Sequence, residues 1–355
     1  MKELPDKNPG YISKANCQPS IAALLPLKVT GRHYGENLAR LDLLFSSLLF
    51  YAGQDFLDEI IIVTPEDEVR LVNSYVANWP ELPIRTVSER GHFNAFERYN
   101  KPWQIRPWQR QQIIKLSAPL FTTADYILTL DPDVLLRRQV TRDLLTPDSR
   151  ALLQPEPRRV HAQWWRDSAA LLGVPAEPDS PGMGVTPALL AREVLLGVHR
   201  ALSERGGQPW MDVLLSSYSN WTEYTLYLLT AEQLGVIDKY HYWCAENTRA
   251  IIAPLQVATN VSVWDGGPRH RRGDDSFMRN RVDQIFTSAD PGMFAVIQSN
   301  TDLSATWLAS IASDHFTVRR TSVYAAQKPR NSSKLKEVGR TAARLVASGV
   351  YRLRR

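Results

Sequence analysis

The order in which apolar runs and amphipathic stretches alternate constrains the fold of this chain more than any other feature. Three apolar runs of strand length, at 21–28, 59–65 and 83–89, are separated by two stretches whose apolar residues recur every three to four positions. The latter spacing is helical, whereas short apolar runs closed by Pro, Gly or polar residues are typical of buried strands. The order strand, helix, strand, helix, strand predicts a mostly parallel sheet covered by helices on both faces.

A further strand indicates where a ligand would bind. The alternating run at 126–130 leads directly to Asp131-Pro132-Asp133, and open α/β sheets bind ligands at the carboxyl ends of their strands. Side chains two apart on an extended chain point the same way, so both carboxylates can reach one divalent cation. The pair predicts a site for Mg²⁺ or Mn²⁺ that also grips a substrate diphosphate. A solvated Asp-Pro-Asp turn is the alternative interpretation.

The stretch before this strand predicts a helix with a polar face. Pro107 suits the first helical position, where its missing N–H costs nothing. Trp108, Gln111, Gln112 and Lys115 then follow at spacings that place them on one side. This face either contacts a nucleotide donor or is the solvated side of an amphipathic helix.

A loop rich in Pro and Gly supplies further candidates. Gly182 and Gly184 permit close backbone approach, so their N–H groups can cradle an anion or a sugar; a plain flexible loop is the alternative. Thr186 followed by Pro187 predicts a helix that begins there, with Thr186 as its N-cap.

Five motifs, taken in order, resemble one group of proteins. They are W-x-x-Q-Q-x-x-K-L at 108–116, L-D-P-D-V-L-L at 130–136, P-G-M-G-V-T-P-A-L-L at 181–190, T-E-Y-T-L-Y at 222–227 and V-I-Q-S-N-T at 296–301. The combination is similar to a group of bacterial GT-A-type glycosyltransferases, many described only as a domain of unknown function (DUF6492). The resemblance implies a GT-A-like (Rossmann-like) α/β fold, with a mixed, mostly parallel sheet flanked by helices in a single elaborated domain.

The resemblance also implies an activity. A sugar would pass from a nucleotide-sugar donor to an acceptor hydroxyl in polysaccharide or glycoconjugate synthesis, with Mn²⁺ or Mg²⁺ held by Asp131 and Asp133. Trp108, Gln111, Gln112, Lys115, Gly182 and Gly184 are the candidates for donor contacts.

Glu223 is the candidate for the base that activates the acceptor. It opens a helix that Thr222 caps, and a helix N-terminus favours an ionised carboxylate. Helix stability alone is the other interpretation. Many GT-A enzymes take a third metal contact from a late histidine, for which His270 is the candidate, with His241 and His315 as alternatives.

Other uses of the acidic pair stay open. A phosphohydrolase or a nucleotidyltransferase can employ it, and a non-catalytic sugar-nucleotide-binding protein of the same fold can retain it. A phosphatase of the haloacid-dehalogenase type carries its D-x-D motif on an early strand, whereas three predicted strands precede the motif here.

The charge of the chain is unevenly distributed. The whole chain has 42 Lys and Arg against 37 Asp and Glu, a net charge of +5. Residues 319–355 alone carry eleven basic residues and one acid, net +10, which leaves −5 for the remainder. A slightly acidic body argues against a nucleic-acid-binding protein. Apolar residues at helical spacing in the tail predict a basic amphipathic helix on an anionic membrane, or else a solvated terminus.

These observations predict three regions and a cellular location. The regions are a flexible lead at 1–20, a glycosyltransferase domain at 21–318 and the basic tail at 319–355. The lead has no apolar run of the signal-peptide kind, and two cysteines form no disulfide framework. We therefore expect a cytoplasmic protein, with the tail touching the inner face of the cell membrane and a glycan or lipid-linked acceptor.

Overall fold

The computed structural model describes residues 18–30, 35–53, 55–99, 105–184, 186–217, 219–244, 275–287, 292–298 and 303–321. Within these residues the strands are β1 (Ile21–Pro26), β2 (Glu59–Thr64), β3 (Ile84–Ser88), β4 (Tyr126–Thr129), β5 (Val134–Leu136), β6 (Ala151–Leu153), β7 (Pro155–Pro157), β8 (Pro181–Met183), β9 (Ala188–Ala191), β10 (His241–Trp243) and β11 (Phe294–Val296). The α-helices are α1 (Glu36–Tyr51), α2 (Val69–Val76), α3 (Asn94–Arg98), α4 (Pro107–Leu116), α5 (Arg142–Leu145), α6 (Ala162–Leu172), α7 (Arg192–Gly206), α8 (Trp210–Ser216), α9 (Glu223–Gln233), α10 (Ile237–Tyr240), α11 (Asp275–Thr287) and α12 (Ala305–Ala312).

A five-stranded sheet in the order β3-β2-β1-β4-β9 forms the centre of the fold. β1 is parallel to β2 and to β4, and β2 is parallel to β3, whereas β9 runs antiparallel to β4. Leu24 and Leu25 of β1 are both fully buried although adjacent side chains point to opposite faces, so both faces of the sheet are covered. The predicted α/β fold, a mixed and mostly parallel sheet flanked by helices, is confirmed.

The return of the chain near its C-terminal end fixes the backbone around the acidic pair. β11 pairs antiparallel with β5, directly after the pair. Ile297 N donates to Asp133 O at 2.9 Å, and Val134 N donates to Asp131 O at 3.1 Å. Asp131 and Asp133 therefore lie on a segment held between the end of β4 and the β5–β11 pair.

The two helices that carry the main candidates begin where the sequence predicts. Pro107 occupies the first turn of α4, and Thr222 caps α9 by accepting a hydrogen bond from the Thr225 N–H at 3.1 Å. Both starts follow from local chemistry that the sequence displays, namely a proline at the first position and a hydroxyl at the cap.

The prediction of a helix beginning at Thr186 is wrong. Residues 188–191 instead form β9, whose four residues are all buried and pair with β4. The helical pattern starts only at Arg192, where α7 begins. The short run Ala-Leu-Leu-Ala fits a buried strand as well as a helix, and the free edge of β4 decides in favour of the strand.

α6 has one buried side, formed by Trp165, Ser168, Ala169 and Leu172. The helix lies on the body of the protein with its other side in solvent.

The basic tail lies largely outside the described residues. Its first member, Arg319, is bound to the body, since its guanidinium donates to Glu81 at 2.7 and 3.0 Å and lies 4.9 Å from the ring centre of Trp79. Residues 322–355, and with them the predicted amphipathic helix, are not among those described. No helix in the described part of the chain has the length and apolar character needed to cross a membrane.

A buried histidine should make stability depend on pH. His241 is 1% exposed, and burial lowers its pKa to about 4, against about 6.5 in an unfolded chain. Between these two pH values the imidazole of His241 is protonated in the unfolded chain but not in the folded protein. The unfolding free energy therefore falls as the pH is lowered from ~6.5 towards ~4. We expect His241→Gln to remove ~2 kcal/mol of the fall in unfolding free energy between pH 7 and pH 4.5.

Urea unfolding at several pH values measures this effect. His92→Gln, which removes an exposed histidine, is the control and should keep the wild-type pH dependence. If the unfolding free energy of His241→Gln fell between pH 7 and pH 4.5 as steeply as that of the wild type, the lowered pKa of His241 would be contradicted.

Candidate functional site

A buried lysine joins two carboxylates at the carboxyl edge of the sheet. Lys115 is 2% exposed, and its Nζ lies 3.0 and 3.1 Å from the two carboxylate oxygens of Asp131. The same Nζ lies 3.3 Å from Glu223 Oε1 and donates a hydrogen bond to Thr186 Oγ1 at 2.8 Å. Lys115, Asp131 and Glu223 are called the charged cluster below.

Three separate elements supply the charged cluster. Lys115 comes from the last turn of α4, Asp131 follows the end of β4, and Glu223 is the first residue of α9. Gln112, one turn before Lys115, fixes the helices to each other because its Oε1 accepts a hydrogen bond from Glu223 N at 3.1 Å. Four residues predicted from three separate motifs therefore lie together.

Hydroxyl groups surround the ammonium on its inner side. Tyr224 lies with its ring centre 5.7 Å from Lys115 Nζ, and its OH is 2.9 Å from Thr129 Oγ1. Thr186 Oγ1 is hydrogen-bonded to the same Tyr224 hydroxyl. Sequence reasoning missed these three residues. A threonine inside the apolar strand β4 and a tyrosine directly after Glu223 were the available signals, since a hydroxyl in a core requires a partner.

Charge attraction maintains the ionised ammonium despite its burial. Burial lowers the pKa of Lys115, but Asp131 and then Tyr224 and Glu223 more than offset this, and the net shift is upward. Burial raises the pKa of Glu223, with Lys115 opposing it. Glu223 is completely buried, and its Oε1 lies 3.3 Å from Lys115 Nζ. Its contact with Lys115 therefore offsets much of the cost of its burial.

The acidic pair suits a cation that completes its coordination elsewhere. In the part of the chain that the structure describes, the buried Asp131 Oδ1 has no well-aligned hydrogen-bond donor, although Lys115 Nζ lies 3.0 Å away. In the described residues no three His, Cys, Asp or Glu side chains are grouped as a metal centre. Mg²⁺ and Mn²⁺ are often held by one or two carboxylates together with substrate phosphates, and Asp131 and Asp133 fit that kind of site.

Asp133 lies near a buried arginine that sequence reasoning missed. Arg40, on α1, is 2% exposed and donates to Ile297 O at 2.8 Å and Leu303 O at 2.9 Å. Burial lowers the pKa of Arg40, while the charges of Asp133 and Glu36 oppose that shift. Arg40 thus links the acidic pair to the segments that return near the C-terminal end.

A cavity of about 320 Å³ opens at the ends of β1 and β2, beside α4. Its polar lining includes Lys28, Glu89, Arg110 and Gln111. Arg110 is paired with Glu89, with Nε 3.2 Å from Oε1, and lies 4.6 Å from the ring centre of Phe96. Gln111 is the predicted donor contact that lines this cavity, and the remaining lining residues were not predicted.

The remaining residues predicted to contact the donor, Gly182, Gly184 and Trp108, have other neighbours than the charged cluster. The Gly184 N–H is occupied, since it donates to Gln154 O at 2.9 Å. A Cβ on Gly182 would lie 2.5 Å from Trp165 and 2.8 Å from Glu156 O, so close packing accounts for that glycine. Trp108 is 37% exposed and its ring lies 5.7 Å from that of Trp164.

The histidine candidates have other partners or fall outside the described residues. His241 Nε2 is 2.6 Å from Tyr227 OH, and His315 Nε2 is 2.9 Å from Asp283 Oδ1. His270 is not among the residues that the structure describes. Its assignment as a third metal ligand stays a prediction.

Comparison with known proteins gives one family and a large set of similar structures, among them two glycosyltransferases. The sequence pattern of a family of unknown function (DUF6492) matches residues 18–318. Mouse xyloside xylosyltransferase 1, in its apo form, is 13% identical with a TM-score of 0.43, over 81% of this chain and 99% of that one. The galactosyltransferase LgtC, in complex with donor and acceptor sugar analogues, is 13% identical with a TM-score of 0.40, over 84% and 98%. No curated protein matches the chain. Neither similar structure assigns a substrate or a metal here.

Removing the ammonium should destabilise the fold through the charges it leaves behind. Lys115→Met is expected to lower the unfolding free energy at pH 7 by ~3–5 kcal/mol, because Glu223 then stays buried without a countercharge. The double variant Lys115→Met/Glu223→Gln should regain ~1 kcal/mol or more, since contacting residues couple.

Chemical denaturation of the four proteins in this cycle measures the coupling. Lys239→Met, at an exposed position, is the control and should change stability by less than ~0.5 kcal/mol. Purely additive effects of the two cluster substitutions would contradict the pairing.

Proposed function

This chain belongs to the DUF6492 family, whose function is unknown, and we propose that it is a glycosyltransferase that moves a sugar from a nucleotide-sugar to an acceptor hydroxyl. The observation that carries the proposal is the position of α4. One side of this helix lines the cavity through Arg110 and Gln111. Its last turn carries Lys115, which contacts Asp131. A single helix thus borders both a space of nucleoside size and the acidic pair.

The cavity suits the nucleoside part of a donor. Its volume lies at the lower end of the range for small-molecule sites. Phe96 and Ile114 offer apolar surface to a base, while Lys28 and Arg110 bring positive charge for the phosphates. The carboxyl ends of β1 and β2, where the cavity lies, are the edge at which α/β sheets bind ligands.

Asp131 and Asp133 are the residues that would hold a divalent cation, Mn²⁺ or Mg²⁺. When bound, such a cation supplies positive charge against the leaving diphosphate. Lys115 contributes a second, permanent positive charge, and its contact with both Asp131 oxygens fixes the direction of that carboxylate.

Glu223 acts on Lys115 rather than on the acceptor in this proposal. A general base has to come within hydrogen-bonding distance of the proton it removes, whereas Glu223 is completely buried behind an ion pair. Its burial and its 3.3 Å contact with Lys115 Nζ favour a positioning role. The base predicted from the sequence is the competing assignment, and the two differ in their expected pH dependence.

Nucleotide binding tests the donor and metal assignments together. Calorimetric titration with UDP, GDP, CDP and dTDP is expected to find one that binds tightly only with Mn²⁺ or Mg²⁺ present. Asp133→Asn removes one of the two carboxylates that would hold the cation. Nucleotide binding by this variant should therefore no longer depend on the cation. Asp179→Asn, at an exposed carboxylate before β8, should bind as the wild type does.

The outcomes separate the competing functions. Release of phosphate from a phosphomonoester that requires Asp131, with no nucleotide bound, would make the protein a phosphohydrolase. Cation-dependent binding without sugar transfer to any acceptor would identify a non-catalytic sugar-nucleotide-binding protein. Both results contradict the proposal.

Glu223→Gln distinguishes a positioning residue from a base. As a positioning residue, it should lower kcat/KM by about 10–100-fold, as loss of a supporting contact commonly does, and leave the acidic limb of the pH–rate profile in place. Loss of that limb, with donor binding intact, would instead identify Glu223 as the base. Glu232→Gln, a partly buried glutamate on the same helix, controls for general effects on α9.

A further inference from the structure

Three aromatic rings form a continuous surface beside the first turn of α4. Trp164 is stacked on His161, with ring centres 3.9 Å apart and planes 13° from parallel. The Trp108 ring is tilted against Trp164, with ring centres 5.7 Å apart and planes at 37°. Trp108 is 37% exposed, and the other two rings are partly exposed. Trp108, Trp164 and His161 are called the aromatic shelf below.

The fold does not need the aromatic shelf for its core. The neighbouring residue, Trp165, is the one that α6 turns inward, where it is 3% exposed and packs under Arg158 at 4.5 Å. Trp164 is not among the buried residues of this helix and is partly exposed. Large apolar side chains grouped on a surface are a common mark of a binding site.

The aromatic shelf is continuous with the proposed active site. α4 carries both Trp108 and Lys115, which are two helical turns and so ~10 Å apart along the helix axis. One turn after Trp164, Ser168 Oγ lies 2.6 Å from Thr225 Oγ1 in the first turn of α9. That turn also contains Glu223, so two independent elements connect the shelf to the charged cluster.

The ionisable pair beside Trp164 suits a neutral ligand. His161 Nε2 lies 3.8 Å from Glu156 Oε2. Burial lowers the pKa of His161 and raises the pKa of Glu156 to about 7, so both groups tend towards their uncharged forms near neutral pH. Glu156 offers polar atoms beside His161.

A pyranose ring matches this surface. Its faces consist of C–H groups, which the negative face of an aromatic ring attracts, and its hydroxyl groups project from the rim, where they can meet polar side chains. The ~10 Å between Trp108 and Lys115 along α4 is about the length of two linked sugars.

We propose that the aromatic shelf is a subsite for the acceptor, on which a neutral sugar of a glycan chain stacks against Trp164 and Trp108. The assignment rests on the proposed transferase function. It moves Trp108 from the donor, where the sequence analysis had placed it, to the acceptor.

Binding of plain oligosaccharides tests the subsite without any donor. The full-length protein is mixed in turn with cellotriose, maltotriose, mannotriose, xylotriose and galactotriose, and binding is followed by saturation-transfer NMR and calorimetry. At least one trisaccharide should bind, with transfer strongest at its ring C–H protons. Trp164→Ala and Trp108→Ala should each weaken binding about tenfold, which corresponds to ~1.4 kcal/mol.

Control variants separate stacking from loss of folding. Trp164→Phe keeps an aromatic face and should retain most of the affinity. Phe50→Ala removes an aromatic ring that is 53% exposed on α1 and should leave the affinity unchanged. Binding of a nucleoside diphosphate with Mn²⁺, measured on every variant, reports whether the site remains folded.

The results distinguish failure of the subsite from failure of the function. The subsite is overturned if no trisaccharide binds the wild type, if Trp164→Ala and Trp108→Ala bind equally well, or if Trp164→Ala instead dissociates a dimer in sedimentation analysis. Saccharide binding that depends on Trp164 in a protein that binds no nucleotide would support the subsite and refute the transferase function. Cation-dependent nucleotide binding without saccharide binding would do the reverse.

Discussion

Lys115 holds an ammonium where little water reaches, and the surrounding structure is arranged around that charge. Removing a charge from water costs several kcal/mol unless countercharges and hydrogen bonds replace the water. Asp131 and Glu223 supply the countercharges and Thr186 accepts a hydrogen bond. These groups come from the ends of different elements, so the ammonium ties together α4, β4, α9 and the chain entering β9. A change in any one of them would leave a buried charge without its partner.

The same arrangement explains how a mixed sheet can present a stable acidic edge. Two carboxylates from one short segment repel each other. Here Asp131 contacts the ammonium of Lys115, and Asp133 interacts electrostatically with the guanidinium of Arg40. The antiparallel strand β9 contributes by bringing Thr186 to the inner side of the ammonium. In the proposed function, this edge faces the phosphates, the cavity beside α4 takes the nucleoside, and the aromatic shelf takes the acceptor.

Local patterns in the sequence predict most of the elements, because helical and strand periods depend on neighbouring residues. Pro107 and Thr222 mark helix starts for reasons that need no tertiary structure. Thr186 misled the prediction because Ala188–Ala191 is too short for its period to be decided, and only the edge of β4 makes it a strand. Lys115 lies against Asp131 and Glu223, and local pattern does not predict its burial, since an amphipathic helix places lysine in solvent. The burial of Glu223 likewise depends on its contact with Lys115, which local pattern does not display. That burial is why the proposed role of Glu223 is to position Lys115 rather than to act as a base.

A crystal structure with Mn²⁺ and the best-binding nucleoside diphosphate tests the central claim most directly. The account predicts the nucleoside in the cavity beside Arg110, the cation between the diphosphate and the pair Asp131 and Asp133, and Lys115 still in contact with Asp131 and the buried Glu223. A nucleotide bound away from α4, or a cation held by residues other than this pair, would contradict it.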